Sequence, residues 1–205
     1  KYNLPGLRTA LYWIHLPKKP ADAEAAKKRF AFEEIFFIQL ARLRDKINYQ
    51  SNPAFKITSA EKDLADFIGR FPFKLTAGQN KAIADIMKDF ASDKPMTRLL
   101  EGDVGSGKTA VAASTAYAAV RAGLEVAYMV PTEILAKQHF ESFINYFSHM
   151  PTVQIGLITG TECRKFPSKI SPDNHTHISK PQLLKWVENG EIPILIGTHA
   201  LIQKS

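Results

Sequence analysis

The chain has 205 residues, 45% of them hydrophobic and 23% charged, with a net charge of +7. That is ordinary globular usage and excludes disordered, collagen-like and coiled-coil classes. No apolar run approaches the ~20 residues of a bilayer-spanning helix. The opening residues carry no secretion signal. The single cysteine, Cys163, rules out a disulfide framework or a Cys-built zinc site within one chain, and it suits a reducing, cytoplasmic setting. Ten basic against five acidic residues in the first 50 carry +5 of the +7. A polyanion such as nucleic acid would favour that end, and a merely solvated helix face would carry the same charge. The chain opens on Lys1 and runs out through Leu201–Ser205, which reads as a piece of a longer protein.

Residues 1–20, with Pro5, Pro17 and Pro20 around Leu11-Tyr12-Trp13-Ile14, read as an extended connector. Asp22 is the expected N-cap of a long helix to about Asn48. Its apolar face is Phe32, Ile35, Phe36, Leu40, Leu43 and Ile47, at helical spacing. Burying each is worth roughly 1.5–3 kcal/mol, which predicts that this face docks on an apolar surface. Thr58 and Glu61 form a capping-box pattern opening a short helix through Ile68, ended by Gly69 and Pro72.

From residue 73 strands and helices alternate. Thr76-x-x-Gln79 opens a helix with Ile83, Ile86, Met87 and Phe90 inward. Thr97–Leu100 reads as a strand, followed by a glycine-rich loop and the helix Thr109–Ala122, closed by Gly123. Val126–Val130 is a strand, Glu133–Ser148 a helix and Val153–Ile158 a strand. Residues 161–178 read as a surface loop rich in Pro and His. Ser179 and Gln182 cap a helix ended by Asn189-Gly190, and Ile194–Ile196 is a strand. Strands joined by crossover helices predict an α/β domain with a mostly parallel sheet covered on both faces. The expected division is 1–57, a connector and basic amphipathic helix, and 58–205, the α/β domain.

Gly102-Asp103-Val104-Gly105-Ser106-Gly107-Lys108-Thr109 fits G-x-x-x-x-G-K-[ST] at every position. Glycines let successive N–H groups converge on a phosphate, and the following helix adds its positive end. Lys108 reaches the β/γ-phosphates and the Thr109 hydroxyl ligates Mg²⁺. The predicted ligand is a nucleoside triphosphate, ATP, with Mg²⁺. His175 and His177 lack a partnered His/Cys set, so no metal site is expected there. Asn174-His175-Thr176 matches a glycosylation sequon, which means nothing in a cytosolic protein.

Several ordered segments resemble the motifs of the RecG family of superfamily-two DNA helicases. They are Thr76-Ala-Gly-Gln79, Gly102–Thr109, Pro131-Thr-Glu-Ile-Leu-Ala-Lys-Gln-His139, Ile158-Thr-Gly160 and Gly197-Thr-His-Ala-Leu-Ile-Gln203. Leu4–Leu11, Ile14–Pro17, Arg29–Ile35 and Gln39-Leu40 resemble that family's connector and long helix. The resemblance implies a RecA-like motor domain, incomplete at its C-terminus, from an ATP-driven translocase that remodels branched DNA and stalled replication forks in recombination and repair. It implies that Gln79 contacts the adenine edge with Phe73 as a stacking wall, although Gln79 also completes a capping box.

It further implies a backbone-directed DNA track over Pro131, Thr132, Glu133, Gln138, His139, Gly160, Gly197, Thr198 and His199, while Thr132 can equally serve as a helix cap. Residues 161–178 depart from the family pattern, which expects a short turn-helix segment there. The family's acidic Mg²⁺-binding box, second motor domain and junction-binding wedge domain would lie outside Lys1–Ser205, so these residues alone are expected to bind nucleotide without turnover. Two other readings are the motor of a transcription-repair coupling translocase and a non-catalytic nucleotide-binding fragment. The connector and long helix before residue 50 argue against the transcription-repair motor and favour the RecG-like reading.

Overall fold

The computed structural model describes residues 2–58, 61–150, 152–168 and 174–201. The chain forms two compact units, Lys1–Pro53 and Ala54–Ser205. The first is a pair of helices, α1 (Leu7–His15) and α2 (Pro20–Gln50). The expected extended connector is therefore largely helical. Pro5 and Pro17 lie on either side of α1, where neither removes an intrahelical hydrogen bond. Helix α2 starts two residues before Asp22. Pro20 takes its first position, where a missing N–H costs nothing. Asp22 accepts from the Lys19 backbone N–H at 3.3 Å, so it braces the helix start from inside. Arg29 ties α2 to the chain entry through Pro5 O at 3.1 Å and pairs with Glu33 at 3.3 Å. Helix α1 packs on α2, and each buries one alanine completely, Ala10 and Ala26. The face expected to dock is exposed: Phe32 is 40%, Phe36 49% and Ile47 58% accessible.

The second unit carries α3 (Glu61–Ile68), α4 (Ala77–Phe90), α5 (Lys108–Arg121), α6 (Glu133–Phe147) and α7 (Lys180–Glu188) around five strands among the described residues. These are β1 (Val126–Met129), β2 (Ile155–Ile158), β3 (Cys163–Phe166), β4 (Thr176–His177) and β5 (Ile194–Gly197). The sheet order is β1-β5-β2-β3-β4. The first three strands pair in parallel, Val126 and Ile155 both opposite Ile194. Strands β3 and β4 add an antiparallel edge, Ile158 opposite Cys163 and Arg164 opposite His177. The segment read as a surface loop thus supplies the last two strands of the sheet, with β4 at its edge; residues 169–173 of it lie outside the described residues. The reading of Thr97–Leu100 as a strand is also corrected. A strand exists through its ladder, and no described strand pairs with these residues.

Alternation along β5 explains how the sheet is covered. Ile194 and Ile196 join one buried cluster with Val111, Phe140, Phe143, Ile155 and Leu157, under α5 and α6. Leu195 packs with Ile158, Leu183 and Ile192 on the other side, under α7. Gly156 is needed there, because a Cβ would stand 2.9 Å from both Leu183 Cδ1 and Leu195 Cδ1. No helix among the described residues is long and apolar enough to cross a membrane.

Candidate functional site

The phosphate loop leads directly into α5, whose first residue is Lys108. Gly105 and Gly107 have φ of +80° and +78°, left-handed backbone that side chains resist. A Cβ on Gly107 would also collide with the Gln79 amide, and one on Gly102 would stand 2.6 Å from Ser106 Oγ. The curl therefore favours glycine at positions 105 and 107 through φ, while a side chain at position 102 would displace the Ser106 hydroxyl. No side chain caps α5, which leaves its first N–H groups to meet an anion. Lys108 Nζ donates to the carbonyls of Gly102 at 2.7 Å and Asp103 at 2.8 Å, so the ammonium lies over the curl. Asp103, Val104 and Ser106 line its exposed rim. Loop, cation and the Thr109 hydroxyl together fit a triphosphate with a divalent cation.

Gln79 couples this loop to α4. Its Oε1 accepts from Thr76 N–H at 2.7 Å, and Thr76 Oγ1 accepts from Gln79 N–H at 3.3 Å, completing the expected capping box. Its Nε2 donates across 27 residues to Ser106 O at 2.8 Å. Gln79 stands between two open clefts. One of about 240 Å³ is bounded by Leu100, Gly102 and Lys108. The other, of about 470 Å³, is bounded by Phe73, Gly107, Lys108, Thr109 and Tyr146. Phe73 offers an exposed ring in the larger cleft, 43% accessible, edge-on to Tyr146 at 6.4 Å. Sequence reasoning missed Tyr146, because nothing local distinguishes it from the core residues of α6.

The parallel register brings the remaining motif residues to one end of the sheet, since Met129 and Ile158 both lie opposite Gly197. Pro131-Thr132, Gly160 and Thr198-His199 emerge there, and Pro131, Thr132, Gly160 and His199 are exposed. Thr132 caps α6 by accepting from Leu135 N–H at 3.3 Å. Glu133 accepts from Thr161 Oγ1 at 2.7 Å, and its other oxygen would stand 2.8 Å from a Cβ on Gly160 and would have to shift to admit one. Gly197 is buried in β5, and a side chain there would strike the Ile158 carbonyl. That position is glycine for packing. Gln138 is exposed. His139 instead turns inward, its Nδ1 3.5 Å from Thr109 Oγ1 and 3.3 Å from the Tyr128 hydroxyl. Burial holds its imidazole below the usual histidine range. The structure thus places the His139 ring against α5 and β1.

An ion network, unsignalled in the sequence, clasps the β3–β4 edge to α6. Glu162 accepts from Arg164 Nε at 2.7 Å and pairs with Lys137 at 2.5 Å. Arg164 also meets Glu141 at 3.6 Å, and His175 and His177 lie beside Glu141 and Glu162. The Arg164 and Lys137 cations hold the Glu162 carboxyl down to about 2.

The DEAD/DEAH box helicase family model matches residues 76–204. RecG of Aquifex aeolicus is 40% identical over 99% of this chain and 25% of its own length. RecG of Streptococcus pneumoniae is 40% identical over 99% of the chain and 28% of its own. A solved structure of RecG bound to a three-way DNA junction has a TM-score of 0.76 and 37% identity, covering 99% of this chain and 26% of that one. The resemblance to RecG thus holds along nearly the whole chain, which spans about a quarter of the length of these relatives. The matched span includes the phosphate loop, both clefts and the shared strand ends. The chain belongs to the DEAD/DEAH box helicase family.

Proposed function

We propose that this chain is the nucleotide-binding part of a RecG-type, ATP-dependent DNA helicase that remodels branched DNA. Residues 58–205 are the first RecA-like motor domain, and residues 1–57 lead into it. Phosphoryl transfer depends on positioning and charge stabilisation by several groups together. Gly102–Gly107 cradle the phosphates, Lys108 supplies a point charge to the β/γ-phosphates, and Thr109 holds Mg²⁺. Bound magnesium would neutralise charge developing on the phosphate oxygens. Gln79 reads the adenine edge in the cleft that Phe73 walls. Pro131, Thr132, Glu133, Gln138, Gly160, Thr198 and His199 face the DNA backbone, and Gly197 ends the strand from which the last two emerge. The observation that carries this reading is the loop with two left-handed glycines opening α5, next to strand ends that gather the motif loops at one end of the sheet.

Nucleotide titration of the 205-residue chain tests it. Wild type should bind ATP or ADP with Mg²⁺. Lys108→Ala removes charge-assisted hydrogen bonds worth roughly 1.5–3 kcal/mol, so affinity should fall about 10–100-fold with the melting temperature unchanged. Equal affinity in the variant would remove the assignment.

A further inference from the structure

His139 lies on α6, yet its ring faces the second residue of α5, 30 residues away in sequence. Two hydroxyls converge on the same ring nitrogen, Thr109 Oγ1 at 3.5 Å and Tyr128 Oη at 3.3 Å. With its proton on Nε2, an imidazole presents a single lone pair at Nδ1. One hydroxyl can therefore donate to it fully at a time, and both separations are long for a fully formed O–H···N bond. A threonine hydroxyl that ligates a cation gives a lone pair to the metal, and its proton must then point away from the charge. Nδ1 of His139 is the acceptor for that proton.

We propose that His139 is a positioning residue for the nucleotide site: its Nδ1 orients the Thr109 hydroxyl toward a nucleotide-bound divalent cation, and Tyr128 is the competing donor that holds the ring when Thr109 is turned away. The inference rests on the reading of Gly102–Thr109 as the ATP·Mg²⁺ site. It also gives α6 a direct link to that site. His139 is six residues beyond Glu133, about 9 Å along the helix axis, and the same helix begins at the Thr132 cap and the Glu133–Thr161 hydrogen bond.

The test measures how far Mg²⁺ tightens binding of a fluorescent ADP analogue, against the same titration in EDTA, with melting curves as a control of folding. Groups that orient a metal ligand typically contribute 10–100-fold to metal affinity. His139→Gln carries its amide one atom too far and should lose about 10-fold or more of the Mg²⁺-dependent gain, with binding in EDTA unchanged. His139→Asn places an amide oxygen near the Nδ1 position and should keep most of it. Tyr128→Phe, which removes the competitor and leaves the ring, should keep or increase it. A full gain in His139→Gln, or its loss in Tyr128→Phe with His139 intact, overturns the proposal. A wild-type chain that binds no nucleotide overturns the ATP-site reading instead.

Discussion

Glu162 shows how one carboxylate can fasten a sheet edge. Its partners come from its own strand edge and from α6, Arg164 at 2.7 Å and Lys137 at 2.5 Å, and its side chain is 15% accessible. Because the folded-state pKa of about 2 lies below the ordinary 4.5, the folded chain binds fewer protons there than the unfolded chain. The resulting stability is complete above about pH 4.5 and is lost as pH falls toward 2. Glu162→Gln should cost roughly 1–3 kcal/mol at neutral pH by weakening its charge-assisted hydrogen bonds with Arg164 and Lys137. It should also flatten the acid limb of the melting-temperature profile between pH 4.5 and 2. An unchanged acid limb would mean that the ion network is not coupled to folding. Gly107 makes a second point at this scale: its left-handed φ favours glycine, and any side chain there would also displace the Gln79 amide.

At the scale of elements, the α1–α2 pair separates residues packed between the two helices from apolar residues left exposed. Ala26 is fully buried, whereas Phe36 remains half-exposed. Enlarging a packed position costs about 1–3 kcal/mol, so Ala26→Leu should speed amide exchange through both helices. Phe36→Asp should stay within about 0.5 kcal/mol of wild type, as most exposed substitutions do. Fast exchange caused by Phe36→Asp and none by Ala26→Leu would reverse this assignment. The β3–β4 edge illustrates the opposite case. Its segment looks polar and turn-like, but Cys163 and Phe166 are buried, and pairing with β2 satisfies the backbone that a loop would leave to water.

For the whole molecule, the proposed helicase reading expects a partner that is recognised through its backbone. The excess of +5 in the first 50 residues accounts for most of the total of +7. The strand-end loops carry a helix cap, a glycine and hydroxyl groups, the chemistry of phosphate contacts. DNA binding should therefore fall linearly in log–log form as salt rises, with a slope near −0.9 per phosphate neutralised on duplex. Two duplexes of equal length and unrelated sequence should give the same curve. Fluorescence anisotropy over a salt series measures both, and a flat salt response or strong sequence preference would exclude this mode.

The sequence by itself determined what local chemistry dictates. The phosphate loop, the Thr76–Gln79 capping box, the Thr132 cap and the helices α4 to α7 are written in spacings of three, four or a few residues, and their backbone torsions follow from the glycines, caps and prolines within them. The alternation of strands and helices likewise identified an α/β sheet before any pairing was known. Only the tertiary structure decided that Thr97–Leu100 finds no strand to pair with among the described residues, that residues 163–166 and 176–177 do, and that Pro5 and Pro17 frame a helix. A strand is defined by its neighbour, and no residue carries its neighbour's register in its own sequence. The inward turn of His139 belongs to the same class: its partners Tyr128 and Thr109 lie 11 and 30 residues away, and only packing α6 onto α5 and β1 brings the three polar groups together.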